Sequence, residues 1–225
     1  MERTGTQEPR GDATREALLD AGLELFGKLG YHATSSRALA EAAGVNQALI
    51  SYHFKGKRGL YVAVFERIVE RVRSQVGPAV AALRKDLPQA MATGDRGALF
   101  TALFRLVDRF IDQFTSPETE HWAALIVREQ QDPSEAFEVV WKGMMGPTME
   151  VMTRLVAALV EAPPESPRPR FLVLGIIGQV LFFRVARTTA LRQLGWDGIG
   201  HDEVEEIKRQ IHRTIHAMLS KEDTP

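Results

Sequence analysis

Cysteine is absent from the 225 residues. That excludes a disulfide framework, a thiolate zinc site and a cysteine nucleophile, and it suits a reducing, cytoplasmic setting. The opening MERTGTQEPRGDATRE holds no apolar core, so no secretory signal is expected. Long hydrophobic runs are missing too. The longest, Phe171–Phe183, is too short for a bilayer and is interrupted by Gln179, so it reads as a helix buried in protein, with no membrane partner. No stretch alternates with period two between turn signals, so no strand is expected. Charge of one sign is not in excess: 28 Lys and Arg face 29 Asp and Glu. A surface basic all over, as in a general polyanion binder, is thereby excluded. No serine or threonine stands in a nucleophile-elbow setting, which leaves a hydrolase without an anchor.

What remains is an ordinary globular composition, 44% hydrophobic and 25% charged, in a chain long enough to bury a real core. Apolar spacing is helical nearly throughout, so the fold class expected is all-α. The first ten residues are polar and expected to fray. From about Asp12, Leu18, Gly22, Leu25, Phe26 and Leu29 share one helix face, and Gly30 stops that helix. Thr34 or Ser35 caps a short second helix reaching Ala43. Gly44 breaks the chain, Asn46 caps a third helix to about Phe54, and Gly56 ends it. A long fourth helix from Lys57 is expected to stop at Gly77-Pro78. Further helices are expected over 79–92, 96–114, 118–130, 133–161, 169–194 and 202–220, separated by turn clusters. The domain division expected is 1–56 and 57–225.

Ser36–Phe54 reads SRALAEAAGVNQALISYHF. Two short helices crossing steeply need a small residue at the crossing and a turn residue comfortable at positive φ. Ala40 and Gly44 meet those needs four positions apart. Leu39, Ala43, Val45 and Ile50 then fall inward, and Leu25-Phe26 closes the core beneath. The outward face carries Gln47, Ala48, Ser51, Tyr52 and His53, a polar, slim surface of the kind that enters a major groove. Over Tyr31–Arg58 the charges Arg37, Lys55, Lys57 and Arg58 oppose only Glu41. A local basic face on a near-neutral chain fits contact with phosphates. A small three-helix packing element without a DNA role is the bland alternative.

These residues carry a resemblance. Thr14–Glu66 resembles the N-terminal domain of the TetR family, through Leu25-Phe26, Gly30-Tyr31, Thr34, Arg37, Leu39-Ala40, Ala43-Gly44-Val45, Tyr52-His53-Phe54 and Lys57. The resemblance implies an N-terminal three-helix helix-turn-helix unit joined by a long helix to a C-terminal ligand-binding and dimerisation bundle. It implies operator phosphate on Tyr52 and Lys57, and base edges on Asn46, Gln47 and Ala48. Thr34, Ser36, Ser51 and His53 complete the expected DNA-binding set. Many members carry an aromatic where this chain has Ser51. Arg128-Glu129, Asp132–Phe137 and Gly178–Arg187 are similar to the CecR-like subgroup of that family, which implies a ligand-sensing, dimer-forming domain.

Other features invite chemistry and are better read as packing. Gly22–Lys28 mimics a phosphate loop, but Leu29 stands where a magnesium-ligating hydroxyl is required and no strand precedes it. His212 and His216 share a helix face, yet no third ligand is dictated, so neither a metal nor another cofactor is expected. His121 before Trp122 reads as packing. Met144, Met145, Met149 and Met152 on one expected helix, with Phe104, Phe110, Phe114, Trp122 and Trp141 on neighbouring ones, are individually core. As a set they can line a pocket, since methionine adapts to irregular ligands. The pocket expected for a mostly apolar effector is Phe104, Phe110, Trp122, Arg128, Met145 and Met149, with Arg128 as polar anchor if it turns inward. A homodimer is expected through the last two long helices, with Leu174, Gly178, Leu181 and Val185 as the dimer face on the first of them and an intrachain core as the alternative. Two functions stay open: a regulator released from double-stranded operator DNA by a small molecule, or a helical carrier of lipid or small molecules with an ancillary N-terminal unit.

Overall fold

The structure, a computed structural model, describes residues 8–220 apart from the side chains of residues 8–10, 79, 86 and 87. The fraying expected at the start falls, up to residue 7, outside that range; from Glu8 the chain is helical. Among the described residues the regular elements are all helical: α1 Glu8–Ala33, α2 Ser36–Ala42, α3 Ala48–Phe54, α4 Lys57–Thr93, α5 Arg96–Thr115, α6 Glu120–Gln131, α7 Glu135–Val140, α8 Gly146–Leu159, α9 Pro167–Val185, α10 Arg187–Leu194 and α11 His201–Leu219. They form two compact units, residues 1–71 with 120–143, and 72–119 with 144–225. The first unit thus reaches past the boundary expected at residue 56. It takes in the opening of α4, α6 and α7.

In the first unit, α1 breaks at Gly30 (φ 82, ψ 171), a conformation open to glycine and costly to other residues. Leu18, Leu19 and Phe26 are buried, whereas Leu29, expected on the same face, is half exposed. Just before the break the helix runs close to α6: a Cβ on Gly27 would lie 2.9 Å from the His121 carbonyl. Ser35 Oγ accepts the Ala38 N–H at 3.0 Å and starts α2. Gly44 makes the turn at φ 65, and Asn46 Oδ1 accepts the Ala48 N–H at 2.9 Å, starting α3. Leu39, Ile50 and Phe54 seal this layer; Ala43 and Val45 are only half buried. α3 ends at Phe54 as expected, but the residue that closes it is Lys55, which takes the left-handed conformation (φ 60, ψ 26) ahead of Gly56. Beneath it, Tyr61 meets the rings of Phe26, Tyr31 and Phe65, each with centroids 5.0 Å away. From α6, Trp122, Ala123, Leu125 and Ile126 join the core.

The second unit is built on α5, which buries Leu99, Leu103, Leu106, Val107 and Ile111. α8 contributes Val151, Met152, Leu155 and Val156, and α9 contributes Val173, Ile176 and Val180. α11 lays Ile207, Ile211, Ile215 and Leu219, four apart, into the same core. Arg96 donates to the carbonyls of Leu159 (2.5 Å) and Leu219 (3.0 Å), at the C-terminal ends of α8 and α11. One cation therefore satisfies carbonyls that helix geometry leaves open at two ends.

Three expected boundaries shift. α4 continues through Gly77-Pro78 to Thr93. Proline removes one N–H from the ladder, but the apolar spacing carries on from buried Val72 and Val76 to half-buried Leu83 and Ala90, and that packing holds the helix together. The helix expected over 133–161 divides into α7, a π-helical turn Trp141–Met145, and α8. The helix expected over 169–194 bends by 87° between α9 and α10 at Ala186 (φ −108, ψ 34). No glycine or proline marks that bend, so sequence carried no signal for it. Among the described residues no single helix is long and apolar enough to cross a membrane.

Candidate nucleic-acid interface

α3 presents a continuous exposed face. Gln47, Ala48, Ser51 and Tyr52 are all on the surface, with the Tyr52 ring 80% exposed. An aromatic so open on a short helix is unexplained by packing. His53 is half buried, edge-on to Tyr52 at 4.9 Å and beside Phe54 at 6.1 Å, so it steadies the tyrosine from behind. Asn46 is exposed, but its Oδ1 is engaged by the α3 cap, which leaves its amide N–H groups to face outward. Ser36 sits half buried in the first turn of α2.

Two expected contacts are placed elsewhere. Thr34 is 1% exposed, and its hydroxyl donates to the Gly30 carbonyl at 2.8 Å. It braces the end of α1 and does not reach the α3 face. Lys57 is turned inward: its Nζ donates at 3.0 Å to each of the Tyr31 and Thr34 carbonyls. Of the other cations in this stretch, Arg58 is held by Glu135 in a two-bond pair at 2.6 and 2.8 Å. That pairing raises the arginine's pKa and lowers the Glu135 carboxyl's below the usual range. Arg37 on α2 and Lys55 at the end of α3 are exposed as well.

The expected effector pocket is divided. Trp122 and Arg128 belong to the first unit; Phe104, Phe110, Met145 and Met149 belong to the second. Trp122 is 3% exposed and borders a cavity of about 20 Å³ shared with Leu19, Leu23, Val64 and Ile68, room for one water. Arg128 is no pocket anchor. It lies on the surface and donates to the Lys28 carbonyl at 3.2 Å, at the end of α1. The polar residue that turns inward is its neighbour Glu129, 4% exposed, which accepts from Tyr61 Oη at 2.8 Å and from the Ser134 N–H at 2.9 Å. A helix repeat places only one of two adjacent residues inward, and the wrong one was favoured.

In the second unit, Phe104 stacks on His212 (centroids 4.1 Å), and His212 Nε2 lies 2.7 Å from Asp108. His216 stacks instead on Phe100 at 4.8 Å. Among the described residues no three histidine or carboxylate groups gather as metal ligands. Phe110, Met145 and Met149 are half buried. On α9, Phe171, Leu174, Phe182 and Val185 are exposed, at 73, 54, 47 and 61%. Leu181 is half buried on the flank, and a Cβ on Gly178 would meet nothing within 4 Å. The outward stripe is thus apolar, while Val173, Ile176 and Val180 on the opposite face are buried.

Known proteins place this arrangement. Residues 18–64 match the bacterial regulatory proteins of the tetR family, and residues 100–221 match the C-terminal domain of the HTH-type transcriptional dual regulator CecR. This chain belongs to the TetR family. The TetR-family chain is 29% identical to the dual regulator CecR of Shigella flexneri over 93% of both chains. It is 31% identical to the regulatory protein RaaS of Mycobacterium tuberculosis, across 74% of this chain and 69% of that one. Among solved structures, AibR in complex with isovaleryl coenzyme A and operator DNA superposes with a TM-score of 0.64 at 15% identity, over 89% of this chain and 97% of AibR. The fatty acid degradation regulator FadR from Bacillus halodurans gives 0.57 at 16% over the full length of both. The all-α architecture with an N-terminal helix-turn-helix is therefore that of the family, and this TetR-family protein is a DNA-binding transcriptional regulator of the CecR-like subgroup.

Proposed function

We propose that this regulator is a homodimeric repressor that reads a pseudo-palindromic operator with two copies of α3 and leaves it when a small molecule binds. The observation that carries the reading is the open face Gln47, Ala48, Ser51 and Tyr52, presented by a helix that is otherwise fully braced. Gln47 supplies an amide able to pair with an adenine edge, and Ala48 a methyl able to meet thymine. Two such helices on a two-fold axis match half-sites one helical turn apart. The exposed stripe on α9 supports self-association through that helix, since a soluble monomer gains nothing by leaving Phe171, Leu174 and Val185 in water.

The effector is a mostly apolar molecule held in the second unit, where α5 and α8 carry the half-buried Phe104, Phe110 and Met149. AibR, captured with both an acyl coenzyme A and its operator, supports a ligand acting on DNA binding in this fold. Release requires only that the ligand favour the state with lower operator affinity. The test is selection of duplexes from a random pool by the full chain, followed by the Gln47→Ala variant. Gln47→Ala should relax preference at one base pair per half-site, by roughly 1–3 kcal/mol if the contact is bidentate. Binding without selection, or selection unchanged by Gln47→Ala, refutes the assignment. A flat salt dependence would favour the carrier function instead.

A further inference from the structure

The helical path from Glu135 to Leu159 contains one wide turn, the π-helical Trp141–Met145. Pro147 accounts for it. In an α-helix residue 147 would donate its N–H to the carbonyl of residue 143, but a proline has no N–H to give and its ring crowds that oxygen. A π turn takes up one more residue and lets the chain pass. Thr148 Oγ donates to the Met144 carbonyl at 2.7 Å and braces the turn after the proline.

This wide turn is pressed against α4. A Cβ on Gly143 would run into Val69 Cγ1 and lie 3.3 Å from Cγ2, and Val69 is itself buried. Valine on a helix has one strongly preferred rotamer, so it cannot swing aside. α4 carries the seat onward to α3. Gly59, in its first turn, makes a second close approach: a Cβ there would run into the carbonyl oxygen of Phe54, the last residue of α3. Between Gly59 and Val69 lies about 15 Å of helix. It is packed through Leu60, Tyr61, Val64, Phe65 and Ile68, all buried. At each end of that rod a glycine backbone lies directly against its neighbour, with no side chain of its own to yield.

Given the reading of DNA by α3 proposed above, we infer that Gly143 is a positioning residue for operator recognition. The π turn seats the chain on α4 at Val69, and that seat sets the angle at which α4 presents α3. Gly143 lies far along the chain from the helix-turn-helix and acts on it through α4 alone.

Full-length Gly143→Ala, Val69→Ala, the double variant Gly143→Ala/Val69→Ala and Pro147→Ala test the inference. Each is titrated against a duplex selected by the wild-type chain and against an unrelated duplex, with thermal unfolding in parallel. Gly143→Ala forces α4 off its seat and should lose about three- to tenfold in affinity for the selected duplex, with little loss on the unrelated one. Its Tm should fall by a few degrees as well. Val69→Ala removes the two methyl groups that the new Cβ would meet, so the double variant should regain most of the discrimination that Gly143→Ala loses. Pro147→Ala introduces no clash and restores the missing N–H, so this chain should fold. Closing the wide turn should then lower the ratio of the two affinities by at least about threefold. The inference is overturned if Pro147→Ala leaves that ratio unchanged, whatever becomes of Gly143→Ala. It is overturned too if Gly143→Ala lowers Tm without touching the ratio, as a glycine that serves packing alone would, or if the double variant discriminates no better than Gly143→Ala. A wild-type chain that selects no duplex removes DNA reading by α3, and this inference with it; selection by wild type with an unmoved ratio in the variants removes this inference alone.

Discussion

Replacing Glu129 with alanine probes the join between α4, α6 and α7. The carboxylate is 4% exposed and accepts from Tyr61 Oη at 2.8 Å, the Ser134 N–H at 2.9 Å and Ser134 Oγ at 2.9 Å. Every partner is a donor. Hydrogen bonds to charged groups contribute about 1.5–3 kcal/mol each, and a donor left unsatisfied in the interior costs a similar amount. Three such bonds are lost, offset by the relief of burying one charge fewer, so about 3 kcal/mol is expected. That corresponds to a Tm lower by roughly 6–12 °C for a chain of this size. Glu129→Gln should cost only about 1 kcal/mol, because its oxygen can serve Ser134 while its amide turns toward Tyr61 Oη, which can accept. Differential scanning calorimetry of both variants with Tyr61→Phe and the double variant Tyr61→Phe/Glu129→Ala closes a cycle. A coupling of at least about 1 kcal/mol between Tyr61 and Glu129 is expected. Glu129→Ala melting within about 1 °C of wild type, or additive single variants, would show that the buried network contributes nothing beyond packing.

Burial, then the bond to Glu129, pushes the Tyr61 phenol above its ordinary range. The unfolded chain ionises this tyrosine near pH 10 while the folded one retains the proton, so the folded state binds more protons. Its contribution to stability is therefore full below about pH 10 and declines as pH rises beyond it. Denaturant midpoints measured on either side of that pH should fall less for Tyr61→Phe than for wild type, and equal slopes would refute the sign. On α9, Leu174→Glu puts a charge into the exposed stripe and should shift the chain from dimer to monomer in sedimentation velocity at micromolar concentration, with operator binding weakened in step. A Leu174→Glu chain that still sediments as a dimer places the interface elsewhere.

The helix-turn-helix was legible because its requirements are local. Ser35, Ala40, Gly44 and Asn46 each meet a need set within four residues of themselves, and the structure places the caps and turn where those residues predict. The outward face of α3 followed from the same period. What failed was long-range. The embrace of α1 by α6 brings Arg128 to Lys28 across one hundred residues, and no periodicity encodes it. Lys57 and Thr34 were read as surface because their residue types suit phosphate; their partners are backbone carbonyls, which every residue possesses and sequence does not distinguish. Pro78 was taken as a stop because its local effect is breaking, whereas the apolar face continuing past it is the stronger influence. The exposed apolar stripe on α9 was visible as an unusually continuous apolar run, since a helix with one dry side needs no Leu174 or Val185 on the other.

That doubly apolar helix has a consequence for how the regulator behaves at low abundance. If a second copy covers the α9 stripe, association and stability become linked by mass action, and the melting temperature rises with the chain's own concentration. Dilution then acts as a slow off-switch of its own. A cell holding few copies would lose paired recognition helices faster than it loses protein, so occupancy of a two-half-site operator would fall with roughly the square of the chain's abundance when monomers predominate. Sensitivity to dose would thus be written into Phe171, Leu174, Phe182 and Val185, independently of any effector.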